Sequence, residues 1–207
     1  MKANSNLLNQ LPKVLICSRL LLGILILVLS WIQISHYRIF AVVLFSIGLL
    51  TDIFDGIIAR QLNVSTVKLR RMDSTVDMIF FILVALSTLI VSPQFFKDHK
   101  IEVIILTGSE AISYIICFLK FRKEVATHSI ASKIWTIILF ATLIQVMITG
   151  NSSALFDVCF YVGIVTRIEI IAIILLLRTW ASDVPGIYQA VLLRRGKTIR
   201  RNKFFNG

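Results

Sequence analysis

Residues 52–60 read Asp52-Ile53-Phe54-Asp55-Gly56-Ile57-Ile58-Ala59-Arg60, and after a short basic segment the chain returns to Asp73 and Asp77. Four carboxylates thus lie in or beside strongly apolar sequence, where an isolated charge is expensive and points to a functional site. Asp52 and Asp55 are three apart and Asp73 and Asp77 four apart, so each pair shares one face of a helix. Two such helices side by side gather the four carboxylates around a small volume. Uncompensated, those charges would repel one another and take up protons, so divalent cations are their natural partner. Ligation by oxygen alone favours magnesium or manganese, because no Cys or His joins the cluster.

The rest of the chain supplies a membrane setting for these charges. It has 207 residues, of which 57% are hydrophobic, and a mean hydropathy of +0.86, values of a multi-pass membrane protein. Apolar segments at about 14–33, 39–59, 74–92, 101–119, 131–149 and 154–177 each approach the ~20 residues that cross the hydrocarbon layer as a helix. They are continuously apolar and do not alternate as barrel strands would. The expected fold is all-α: six transmembrane helices in a single domain over 1–207, with a basic tail from 178. The first segment is too long for a signal-peptide core and lacks a small-residue cleavage site. Cys17, Cys117 and Cys159 lie in apolar segments without metal-like spacing and read as buried hydrophobes.

Charge predicts the orientation. Arg60, Lys68, Arg70 and Arg71 lie between the second and third segments, and Lys120, Arg122, Lys123 and Lys133 between the fourth and fifth. The start and the tail are also basic, whereas 150–153 carries no cation and the other two connections carry few. The positive-inside rule then places both termini and both basic loops in the cytoplasm, in a plasma (inner) membrane. Most of these cations read as topogenic and headgroup-facing. Nucleic-acid binding is a poor competitor for the net charge of +11, because no soluble basic domain exists to carry it. On this topology all four aspartates lie toward the cytoplasmic side. Asp52 is eight residues before Arg60, roughly 12 Å along the helix at 1.5 Å per residue. A water-filled cavity facing the cytoplasm is implied, open to nucleotide and lipid alike.

The spacing over 52–77 resembles the signature of the CDP-alcohol phosphatidyltransferases, Asp-x2-Asp-Gly-x2-Ala-Arg-x8-Gly-x3-Asp-x3-Asp. Asp52, Asp55, Gly56, Ala59, Arg60, Asp73 and Asp77 fall on it, and Leu69 stands where the family has its second glycine. A weaker echo of the family's Pro-Asn-x-Leu-Thr-x-x-Arg precedes it: Pro12, Leu15 and Arg19 fit, Lys13 and Ile16 do not. The resemblance implies transfer of a phosphatidyl group from CDP-diacylglycerol to a small polar alcohol, with release of CMP, in phospholipid biosynthesis. It implies two metal ions on Asp52, Asp55, Asp73 and Asp77, with Asp77 nearer the acceptor as general base. Gly56 and Ala59 would let the nucleotide approach the helix backbone, and Arg60 would face donor phosphate; the bland alternatives are small-residue helix packing and a snorkelling arginine. Leu69 would narrow the donor pocket, or the loop would re-route with Ser65 or Thr66 nearest the ligand.

The acceptor is read from weaker signals. Arg122, Lys123, Lys133 and Arg167 offer positive charge to a phosphorylated polyol, glycerol 3-phosphate first. Against this, Ser109 precedes Glu110 where glycerophosphate-using relatives tend to have an Arg-Glu pair, which keeps inositol and serine in contention. Glu110 reads either as functional or as an interhelical partner. Arg167 and Glu169 are too close in sequence to face each other, and each is expected to pair with another helix or reach the cavity. His128 reads as a solvated loop residue. A membrane cation transporter is the competing class, and a degenerate non-catalytic member a third. A homodimer is compatible with the chain.

Overall fold

The computed structural model describes residues 2–62, 64, 66–127 and 129–199, with the side chains of 2–9 and 67 left out. Eight helices are found there: α1 (Lys2–Ile32), α2 (Tyr37–Gln61), α3 (Val67–Val91), α4 (Pro93–Asp98), α5 (Lys100–Phe121), α6 (Ile130–Thr149), α7 (Ala154–Leu176) and α8 (Ile187–Arg194). The structure is 81% helical, with no strand among the described residues. Six helices, all but α4 and α8, are long and apolar enough to cross a membrane. Each of the six apolar segments expected from hydropathy falls on one of them. The two short helices were not expected, since six and eight residues are too few to leave a hydropathy signal.

The described chain divides into two compact units, one comprising 1–93 with 146–150 and the other 94–145 with 151–207. In the first unit α1 packs against both α2 and α3. Close approach is possible because glycines stand at the crossings. A Cβ on Gly23 would lie 2.9 Å from Leu83 Cδ1, and one on Gly48 would lie 2.8 Å from Phe80 Cε1. In lipid, where apolar burial does not drive helices together, such small-residue contacts and interhelical hydrogen bonds carry association. One polar contribution comes from the buried Ser30 and Ser87 hydroxyls, 2.5 Å apart between α1 and α3. Phe45 of α2 adds ring contacts to Phe80 and Phe81 of α3, at 5.7 and 5.8 Å between centroids.

Helix α3 begins at a polar cap: the Thr66 side chain accepts from the Leu69 N–H at 3.2 Å, as N-cap threonines do. Leu69 is therefore inside the first turn of α3 and not in a loop. Its side chain is buried in a cluster with Ile16 of α1, Ala59 of α2 and Val76. Thr66, one of the two residues that a re-routed loop would bring nearest the ligand, serves as the cap, and Ser65 lies outside the described residues.

In the second unit α7 packs against α5 and α8. The carbonyls ending a helix lack intrahelical partners, and Lys120 supplies them for α7, donating to Ile174 O at 2.9 Å and Leu175 O at 2.7 Å. The connection after α7 is tied to that before α6 by backbone bonds. Asp183 N donates to Ala126 O at 2.9 Å, Val184 N to Thr127 O at 2.7 Å and Ile130 N to Pro185 O at 3.0 Å. Val184 and Ala190 then pack on Ile173 and Leu177.

Candidate active site

The aspartate pairs of α2 and α3 come together around a residue of α1. The Arg19 guanidinium contacts all four carboxylates: Nη1 lies 3.1 Å from Asp52 and 3.3 Å from Asp73 and also pairs with Asp77, while Nη2 pairs with Asp55. Arg19 is 1% exposed, and its Nε is buried without a partner. Asp55 is equally enclosed at 2%, whereas the other three aspartates are half-buried. The sequence reading carried Arg19 as part of a motif echo and among the basic residues of the chain's start, whereas the structure buries it against the aspartates. Its position in the middle of an apolar helix was the signal that could have marked it, since intramembrane arginines seek partners.

This donor set fits a hard divalent cation. One oxygen each from Asp52, Asp55 and Asp73 lie within 4.8 Å of one another, with no sulfur or imidazole among them. One guanidinium offsets a single charge of the four, so the ionised cluster keeps an excess of negative charge that a cation would neutralise.

Gly56 and Ala59 differ in what explains their smallness. A Cβ on Gly56 would meet nothing nearer than the Arg60 guanidinium at 3.6 Å, an ordinary contact, and would touch no other helix. Helix packing thus gives no reason for a glycine there. Ala59 is buried against Leu69 and Ile16, so its size is accounted for by packing. Arg60 is half-buried and runs back along α2 toward Gly56.

The acceptor candidates lie in the second unit. Arg167 is 6% exposed, pairs through Nη2 with Glu110 of α5, and lies 4.4 Å from the centroid of the Trp135 ring of α6. Gly163 makes room for this assembly, since a Cβ there would lie 2.6 Å from Trp135 Nε1. The Trp135 indole donates to Cys159 O at 3.0 Å. Of the two readings of Glu110, the structure thus provides the interhelical partner. Arg122 caps α5 in the left-handed region, φ 54°, with its guanidinium 5.6 Å from the Phe118 ring centroid. Lys123 lies 4.7 Å from the Trp180 ring centroid, and Lys133 is exposed in the first turn of α6. His128 lies outside the described residues.

A family model described as CDP-alcohol phosphatidyltransferase matches residues 9–184, a stretch that enters both compact units. No curated protein and no solved structure matches the chain. Members of the matching family use divalent metal ions.

Proposed function

Because the chain belongs to the CDP-alcohol phosphatidyltransferase family, whose members transfer phosphatidyl groups from a CDP-alcohol in phospholipid synthesis, we propose that it moves the phosphatidyl group of CDP-diacylglycerol onto a phosphorylated polyol, glycerol 3-phosphate first, and releases CMP. The observation that carries this reading is the convergence of Asp52, Asp55, Asp73 and Asp77 within apolar helices.

Asp52, Asp55, Asp73 and Asp77 would hold two magnesium or manganese ions. Bound there, the ions neutralise the donor pyrophosphate and stabilise the departing CMP. Asp77, one turn beyond Asp73, takes the proton of the attacking hydroxyl as general base. The face at Gly56, lined by the Arg60 guanidinium, admits the nucleotide, and Arg60 faces the donor phosphates. Lys133, Arg122 and Arg167 receive the acceptor phosphate. Both termini lie in the cytoplasm, the chain spans the plasma membrane, and 1–207 acts as one catalytic domain.

One observation favours a second acceptor class. Glu110 already offsets the charge of Arg167, which suits a neutral acceptor such as inositol, or serine. CMP release is to be followed with CDP-diacylglycerol and, in turn, glycerol 3-phosphate, inositol phosphate, inositol and serine. Faster turnover of the phosphorylated acceptors is expected. Turnover of inositol or serine alone would move the assignment to the second class. No CMP release with any acceptor would leave the transporter or a degenerate member.

A further inference from the structure

We infer that Arg19 is the positioning residue that clamps the carboxylate pairs of α2 and α3 and, by sharing their oxygens, sets how tightly they hold a divalent cation. The inference rests on the reading of the four aspartates as a cation site. Arg19 stands on the one helix of its unit that packs against both α2 and α3, and its two terminal nitrogens reach Asp52 and Asp55 of the former and Asp73 and Asp77 of the latter. A guanidinium stays charged in any protein environment and presents a rigid fork of donors. Held at 1% exposure, it is a permanent counter-charge that joins the two pairs through one group. It takes up one oxygen of each carboxylate and so leaves fewer lone pairs to a cation, and its charge repels a cation a few ångströms away. Arg19 therefore stabilises the assembled carboxylates and weakens their hold on the ion at the same time. The first effect keeps the site together between turnovers. The second lets ion and CMP leave.

The test is manganese binding to the purified full-length chain in nanodiscs, by calorimetry and by the electron-paramagnetic signal of free manganese. Arg19→Gln should bind manganese roughly tenfold more tightly than the unsubstituted chain, since a unit charge at contact distance is worth at least that factor even at a high effective dielectric. Its melting temperature should also rise more steeply with added manganese. Should Arg19→Gln not fold, Arg19→Lys decides. A compact ammonium reaches fewer of the four carboxylates, and about threefold tighter binding is expected. A purely structural arginine predicts the opposite sign, because a loosened site binds more weakly. Unchanged or weaker affinity in a folded variant overturns the inference, and manganese binding to neither protein overturns the cation site along with it. No lipid or nucleotide enters the titration. Absent CMP release beside a persisting affinity difference would thus overturn the transferase reading alone.

Discussion

An ionised carboxylate within a hydrocarbon layer costs several kcal/mol unless it is paired, and Asp55, 2% exposed against Arg19, is the most enclosed of the four. If Asp52, Asp55 and Asp73 bind metal, then Asp→Asn at any of them removes metal affinity and turnover together. Full CMP release by purified Asp52→Asn would sink that mechanism. Asp77→Asn should behave differently, lowering kcat by about 10²–10⁴-fold, the range of a lost general base, while donor binding measured by competition survives. Leu69 belongs to the same scale. It is buried against Ile16, Ala59 and Val76, so Leu69→Ala should lower stability by about 2–5 kcal/mol, as truncation of a packed leucine does, and Leu69→Gly by about 1 kcal/mol more for its helix position. Detergent melting curves check both values. Restoring the family glycine should then shift the donor KM more than kcat, and an inert native chain that becomes active as Leu69→Gly would identify a degenerate member.

At the scale of elements, glycines separate packing from function. Gly48 and Gly163 face side chains of neighbouring helices that a Cβ would strike, whereas Gly56 faces only the Arg60 guanidinium at ordinary distance. Gly48→Ala and Gly163→Ala should therefore each cost about 1–3 kcal/mol through overpacking. Gly56→Ala should leave stability unchanged or raised by up to about 1 kcal/mol from helix propensity, yet raise the donor KM. Thermal melts beside donor titrations test the contrast, and a strongly destabilised Gly56→Ala would return that glycine to a packing role. The same contrast shows why the elements and the meeting of the two aspartate pairs were legible, whereas the partners that join them were not. Long apolar runs and the three- and four-residue spacings of the aspartates are local and readable, and they located the six helices long and apolar enough to cross a membrane among the described residues, with both carboxylate faces. The joining of Arg19 to Asp77, or of Glu110 to Arg167, spans tens of residues and depends on which helix faces which. A single chain carries no periodic trace of such choices. The start of α3 was read several residues late, near Asp73, because the Thr66 cap that sets it is a one-residue signal.

At the scale of the molecule, the proposed transferase reading requires the carboxylates to open on the side that supplies nucleotide, which the charge distribution predicts to be the cytoplasm. Six helices suffice for six crossings by length and composition. An even number returns the C-terminus to the side of the N-terminus. The basic residues between α2 and α3, between α5 and α6, and after α7 all fall on that one side if the count holds. Arg60 lies in the last turn of α2 and Lys68 in the first turn of α3, so the carboxylates, lying within two to three turns of those ends, would share the basic side. Reporter fusions at residue 207 and within 92–100, which includes α4, should therefore report opposite sides, cytoplasmic for the first and external for the second. Were both fusions to report one side, a crossing would be missing or added, and the basic segments could not all lie together. With the two sides exchanged, the count would stand but the aspartates would face away from the nucleotide pool, and the transferase reading would fail on access alone.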